Sequence, residues 1–274
     1  MDDDQPSTVL IHQEISDDDT SNQQPQDMPE TSNQAVLPDS PEQFNHPCGD
    51  LLDGGRRRDY NDICVPLFQA SVVGDWEAAE KILSINGEFR VDLLGYAITE
   101  DKDTALNVAV FSKSIKFVEN LVNRMTDEQL VLQDKDGRTA LFNVAGAGNV
   151  EMARVMVDRC PQLLKIRASY SRPPIHNAVL YGKRNMFAYL YGKYKSMGGN
   201  DWTYQDIHVV FWQCMEGDLF DSALKILEDQ NNPIGFRLRW YAREVLYILA
   251  RKTNAFKDVK SWKNSSVDKT ITMI

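Results

Sequence analysis

Histidine and cysteine are the side chains best suited to bind a metal ion or to act as nucleophiles, and this chain has few of either. A zinc site needs them in closely spaced pairs, and a catalytic cysteine needs a histidine in a supporting context. No Cys-x-x-Cys pair occurs, and neither type forms a cluster with zinc-ligand spacing. The residues concerned are His12, His46, His176, His208, Cys48, Cys64, Cys160 and Cys214. We therefore predict a non-catalytic chain with no metal, no cofactor and reduced thiols.

Three short motifs resemble sites of known chemistry. Asp134 to Gly137 matches part of a calcium-binding loop but lacks the third oxygen ligand and the terminal glutamate. Gly146 to Gly148 lacks the third glycine and the preceding strand of a dinucleotide-binding loop. We predict that both are structural turns. Ser16 precedes three aspartates and is a candidate phosphorylation site, with an unmodified serine in a polar tail as the alternative.

The negative charge of the chain is confined to its N-terminal segment. Residues 1–58 contain 13 of the 40 acidic residues and three of the 30 basic ones, so this segment carries the whole net charge of −10. It is rich in Asp, Gln, Ser, Asn and Pro, without helical or strand periodicity, which predicts a disordered tail. A neutral body behind an acidic tail disfavours nucleic-acid binding.

The remaining composition predicts a globular, cytoplasmic protein. Hydrophobic residues make up 42% of the chain, enough for a sizeable core. The longest apolar runs are far shorter than the 20 or so residues that span a bilayer, so we predict no membrane insertion by this chain. The N-terminus lacks the apolar segment of a secretory signal.

The elements that must position any functional residue recur along residues 59–256. Similar blocks start at Val65, Thr104, Thr139, Pro173 and His208, which are 39, 35, 34 and 35 residues apart. Each combines an apolar block, a turn position that is usually glycine, and a second apolar pattern with spacings of three and four. This pattern predicts units of two helices joined by a tight turn. A sixth start is indicated around residues 244–249.

The repeated sequence resembles ankyrin repeats, whose signature is T-P-L-H-x-A at a period of about 33 residues. Thr139-Ala140-Leu141-Phe142 and Pro173-Pro174-Ile175-His176 carry the resemblance best. It implies an all-α solenoid in which a β-turn "finger" precedes the first helix of each unit. It also implies a non-enzymatic protein-binding array, whose partner sits on the concave face made by the fingers and first helices.

Residues 175–191 and 245–256 resemble more particularly a plant group that joins an ankyrin array to a membrane domain named for its Pro-Gly-Gly motif. This resemblance implies an adaptor or regulatory role in stress or defence signalling, at the inner face of the plasma membrane. The alternative is that the chain is the cytosolic half of a longer membrane protein of this group, with the array regulating a channel-like or scaffold domain. Residues 257–274 are predicted to be a linker or a truncated end.

The implied concave face leads to a set of candidate protein-binding residues. They lie just before each T-P-L-H-like start or just before each turn glycine, and many are aromatic or cationic. The set comprises Phe111, Lys135, Arg138, Tyr170, Arg172, Leu180, Tyr181, Tyr204 and Met215. For Phe111 and Leu180 the alternative is packing within the array, and an enzyme site on the concave face is a further alternative. The sequence does not indicate an oligomeric state.

Overall fold

The computed structural model describes residues 44–52, 57–112, 114–195, 201–229 and 245–252. All of them belong to one compact unit, Pro38–Ile274. Ser16, most of the predicted acidic tail and the predicted C-terminal linker, residues 257–274, lie outside the described residues.

The described chain is mostly helical, and five helix pairs follow one another in it. We call these pairs units one to five, and the members of each pair the first and the second helix. A short helix α1 (Arg57–Asp59) continues through a π-helical turn into the first pair, and α6 (Asp127–Leu130) lies between units two and three. The pairs are α2 (Val65–Val73) with α3 (Trp76–Leu83), α4 (Ala105–Ala109) with α5 (Ile115–Arg124), α7 (Ala140–Ala147) with α8 (Val150–Arg159), α9 (Pro174–Leu180) with α10 (Arg184–Lys195), and α11 (Tyr204–Glu216) with α12 (Phe220–Glu228).

The units stack in chain order, which confirms the predicted all-α solenoid. Each first helix contacts the next first helix from α2 to α11, and the second helices do the same from α3 to α12. The third residue of each repeat start is buried in the shared core. These residues are Leu67, Leu106, Leu141, Ile175 and Val210. A single helix pair has no partner for this apolar face, so each unit depends on its neighbours.

Side-chain caps fix where the helices begin. The Oγ1 atom of Thr139 accepts a hydrogen bond from the backbone N–H of Phe142 at the start of α7, and Thr104 does the same at the start of α4. Asn149 caps the second helix of unit three in the same way. Gly148, between α7 and α8, has φ of 85°, a left-handed conformation that glycine adopts without steric cost.

A short hairpin accounts for the first repeat spacing of 39 residues. Strands β1 (Ser84–Ile85) and β2 (Glu88–Phe89) pair antiparallel after α3. Asn86 and Gly87 join them, both with positive φ, as a two-residue hairpin turn requires. The hairpin therefore lengthens unit one without disturbing the stacking of its helices.

Unit five departs most from the repeat pattern. Its first helix begins after the cap Thr203, five residues before His208, where the sequence pattern places the repeat start. Residues 245–251 are helical, at the position of the sixth start. The Nζ of Lys252 pairs with Asp218 and donates to the backbone carbonyl of Glu216, so this segment lies against the end of α11.

Residues 44–52, which the sequence analysis assigned to the tail, contact the array. Cys48 forms a parallel β-bridge with Tyr96, and Leu51 is buried in the core. The predicted tail boundary at residue 58 relied on side-chain periodicity. These contacts combine backbone hydrogen bonds with a few separate side chains, and neither leaves such a pattern.

Candidate functional site

The fingers before α4, α7 and α9 form a connected row. The N–H of Lys135 donates to the carbonyl of Asp101 at 2.9 Å, and the N–H of Ser169 donates to the carbonyl of Asp136 at 3.1 Å. The side chains of Lys135 and Asp101 also form an ion pair. These bonds bring together the candidate residues of adjacent fingers.

The finger of unit three is organised around a buried carboxylate. The Oδ1 of Asp134 accepts hydrogen bonds from the N–H groups of Asp136 and Arg138, both at 2.9 Å. The guanidinium of Arg138 pairs with Asp134 and with Asp136 at 2.8 Å each. Arg138 is therefore engaged within its own finger, while part of its side chain faces solvent.

The finger of unit four presents an aromatic ring on a strained backbone. Tyr170 and Ser171 have φ of 60° and 53°, a left-handed conformation that non-glycine residues rarely adopt. The Tyr170 side chain is exposed, and the Cζ of Arg172 lies 5.3 Å from the centroid of its ring. Backbone strain of this kind persists where surrounding structure enforces it, and it clusters at functional sites.

Large apolar side chains are exposed at the ends of the first helices. We call Val73, Phe111, Leu180 and Tyr181 the apolar row; their exposed fractions are 75%, 69%, 53% and 62%. They occupy equivalent places, one or two residues before the turn of units one, two and four, and the first helices of successive units are in contact. Exposed apolar clusters of this kind mark interaction sites. Val73 was missed by the sequence analysis, although its place before Gly74 follows the rule that selected the others.

Unit three contributes small residues to this surface. Gly146 and Ala147 take the places that Leu180 and Tyr181 have in unit four. A Cβ at Gly146 would lie 2.5 Å from the Nδ2 of Asn177 and 3.1 Å from the ring of Tyr181. Gly146 therefore leaves room for the Asn177 side chain and the Tyr181 ring.

Two candidate residues occupy other environments than the exposed rim. Met215 is fully buried, so its prediction as an exposed binding residue is wrong. Met215 lies near the C-terminal end of α11. The helical segment 245–251 lies beside that end and adds apolar side chains to the core there. Tyr204 is half-buried in the first turn of α11, where its ring stacks on His208 with centroids 6.1 Å apart.

A partly buried ion pair connects unit four to unit five. The two guanidinium nitrogens of Arg167 donate to the two carboxylate oxygens of Asp206 at 2.6 and 2.9 Å. Burial would raise the pKa of Asp206, but hydrogen bonds from Arg167 and Thr203 outweigh it and hold the pKa below its ordinary value. This bidentate pair fixes the first turn of α11 against the preceding finger.

His176, at the fourth place of the repeat signature, is buried and stays neutral. Burial and the neighbouring charge of Arg172 lower its pKa to about 4. Its Nδ1 has no hydrogen-bond partner within the described residues. Thr104 and Asn107 occupy in unit two the places that Pro173 and His176 occupy in unit four. The hydroxyl of Thr104 donates a hydrogen bond to Asn107 at 2.9 Å, but Pro173 has no hydroxyl that could bond to His176.

The buried thiols are poor nucleophiles. Burial raises the pKa of Cys64 to about 11, and it raises the pKa of Cys160 and Cys214 as well, so all three stay protonated at neutral pH. Within the described ranges, no three His, Cys, Asp or Glu side chains come together to hold a metal ion.

None of the helices in the described ranges combines the length and the hydropathy that crossing a lipid bilayer requires.

Comparison with known proteins identifies the repeat. Residues 106–203 match the family model described as ankyrin repeats, three copies. This part of the chain contains ankyrin repeats. The matched range begins in the first helix of unit two and ends at the cap of α11, so it covers most of unit two and all of units three and four.

Two solved structures are similar to the ankyrin array. The human ASB11 ankyrin repeat domain is 19% identical, with a TM-score of 0.46 over 74% of this chain and 90% of that one. A chain in the structure of the yeast ribosomal protein Rps3 with its chaperone Yar1 is 20% identical, with a TM-score of 0.43 over 53% of this chain and 98% of that one. The curated protein sequences give no significant match.

Proposed function

We propose that the ankyrin array is a non-catalytic module that binds another protein through the apolar row and the finger of unit four. The observation that carries the proposal is the apolar row itself, four large side chains more than half exposed at repeated positions. Ankyrin repeats and other solenoids present extended surfaces to their partners. Exposed aromatic and arginine side chains supply most of the binding energy at such interfaces.

The finger of unit four supplies the polar part of the surface. The stacked Tyr170 and Arg172 are presented by a backbone whose conformation the neighbouring finger holds in place. A pre-organised aromatic–cation pair loses little conformational freedom on binding. We therefore expect Arg172 and Tyr181 to contribute most to affinity, with Lys135 and Arg138 at the rim.

The test is a comparison of single variants by quantitative affinity purification from plant tissue, followed by affinity measurement with each recovered partner. Tyr181→Ala and Arg172→Ala should lose the proteins that the parent chain enriches, with unchanged melting temperatures. Tyr247→Ala is the matched control, because Tyr247 is 65% exposed but lies in the segment 245–251, outside the units that carry the row. If Tyr181→Ala and Arg172→Ala keep both the enriched proteins and the parental affinity, the surface is not the binding site.

We further propose that the array acts in plant stress or defence signalling, as an adaptor on the cytoplasmic side of the plasma membrane. The support is the resemblance of residues 175–191 and 245–256 to the plant group with a Pro-Gly-Gly membrane domain. Proximity labelling with the full chain in stressed and unstressed tissue tests it. Labelling of proteins unrelated to signalling in both conditions would contradict it.

The alternative is that the array regulates the membrane domain of a longer protein of the same group. A longer transcript from the same locus, encoding about four apolar segments of spanning length, would favour this alternative. Transcripts that all end at the codon for Ile274 would contradict it.

A further inference from the structure

Residues 44–48 run along the bases of two adjacent fingers. The N–H of Cys48 donates to the carbonyl of Gly95 at 3.0 Å, and the N–H of Ala97 donates to the carbonyl of Cys48 at 2.8 Å. Further along, the N–H of Gln133 donates to the carbonyl of Asn45 at 2.8 Å. The segment therefore bonds to the finger edge of units two and three through its backbone, as peptides do that are recognised by strand addition.

Gln133 is the centre of this edge. Its side-chain Oε1 accepts from the N–H of Asn45 at 3.2 Å, while its Nε2 donates to the carbonyls of Gly137 and Arg167 at 2.6 and 3.1 Å. The Nδ1 of His46 lies 3.1 Å from the Gln133 carbonyl and donates to it. Buried polar groups are costly unless they are hydrogen-bonded. Asn45 and His46 of the segment provide part of the hydrogen bonding of Gln133.

Three apolar side chains anchor the segment. The Phe44 ring covers Gly137, which has φ of 74°, so closely that a Cβ there would collide with it. Pro47 is buried, and Leu51 joins the core of the array. The three anchors follow the spacing Phe-x-x-Pro-x-x-x-Leu. The backbone hydrogen bonds fix the register of the segment on the fingers, and the anchors would select peptides that have this spacing.

We propose that the finger edge formed by Gly95, Ala97, Gln133 and Gly137 is a second peptide-binding site, distinct from the apolar row, and that its occupant is the chain's own segment 44–52. We call this segment the clasp. A tethered ligand has a high effective concentration, so the clasp excludes a peptide of the same chemistry offered in trans. The site opens to such a peptide only when the clasp is weakened.

The test uses the full chain and a fluorescent synthetic peptide of residues 44–52. The double variant Pro47→Asp, Leu51→Asp places charges at two buried anchors and should release the clasp. The variant should bind the peptide at least about tenfold more tightly than the parent chain, whose site is occupied. A control peptide with Phe44→Ala and Pro47→Asp should not bind, and adding Gln133→Ala to the double variant should abolish binding.

Amide hydrogen exchange separates clasp release from misfolding. In the parent, the amides of Ala97 and Gln133 should be protected, because their acceptors lie in the clasp. In the double variant both should exchange faster, while the amides of Lys135 and Ser169, bonded between fingers, stay protected. These two amides are internal controls for the intact array.

Each contrary result overturns the proposal. Fast exchange at Ala97 and Gln133 in the parent would show that the clasp is not docked. Equal peptide affinity for parent and double variant would show that the clasp does not occupy the site. Absence of peptide binding to a double variant with protected fingers would show that the edge is not a peptide site.

Discussion

Units three and four have the same architecture but achieve it with different local chemistry. The first helix of unit three follows the N-cap Thr139, whose hydroxyl caps it, whereas α9 follows Pro173, which provides no side-chain cap. The finger of unit three turns at Gly137, with Asp134 bonding two of its N–H groups.

The equivalent turn in the finger of unit four has two successive residues, Tyr170 and Ser171, in a left-handed conformation. The comparison shows that stacking against neighbours enforces the repeat where its local sequence disfavours it. The local sequence of unit four favours the repeat conformation less than that of unit three does. Unit four is also the unit that carries the exposed Tyr170, Leu180 and Tyr181.

The largest expected effect is a charge in the core that the two units share. Leu141→Asp places an unpaired carboxylate where no side-chain surface is exposed, and we expect a loss of several kcal/mol or of the folded array. Thermal unfolding followed by circular dichroism measures it. Leu180→Asp, at a site 53% exposed, is the control and should shift the melting temperature little. An unmoved transition in Leu141→Asp would contradict the repeat register.

Acid should destabilise unit four through His176. Its folded pKa of about 4 lies below the ordinary value of 6.5, so between these values the unfolded chain binds more protons, and stability falls as the pH falls. This contribution amounts to about 2 kcal/mol between about pH 7 and about pH 5. The Arg172 and Asp206 charges face the same ring.

Urea unfolding at the two pH values, compared with His176→Leu, isolates this effect. The Leu variant should lose that part of the acid sensitivity, while the other titrating groups remain. An identical pH dependence in parent and variant would contradict a neutral buried imidazole.

Gly137→Ala should destabilise the finger of unit three by roughly 1–2 kcal/mol, because Ala disfavours a left-handed backbone. The added methyl group would also displace the Phe44 ring. Urea unfolding measures the free energy, and Gly192→Ala serves as the control, since its Cβ would meet no neighbour and its φ is not positive. Equal stability of Gly137→Ala and the parent would contradict the tight turn.

The smallest expected effect has the opposite sign and lies in unit four. Ser171→Gly should relieve a left-handed serine, offset in part by the greater freedom of glycine in the unfolded chain, for a gain of about 0.5 kcal/mol. Differential scanning calorimetry measures the shift in melting temperature. A lower melting temperature than the parent would show that the strain is absent.

Much of this architecture could be predicted from the sequence. The repeat spacing located the buried Leu106, Leu141 and Ile175, because a side chain that faces its own core must recur at the period of the unit. The same rule selected Phe111, Leu180 and Tyr181, which the structure leaves exposed.

Only the tertiary structure decided the rest. Met215 occupies a place equivalent to that of Leu180, yet it is buried, because burial depends on which segment covers a surface and not on the position within a repeat. The docking of the clasp could not be predicted from the sequence either, because backbone hydrogen bonds such as those at Ala97 and Gln133 require no particular side-chain period. The left-handed conformations of Tyr170 and Ser171 are likewise imposed by packing against local preference.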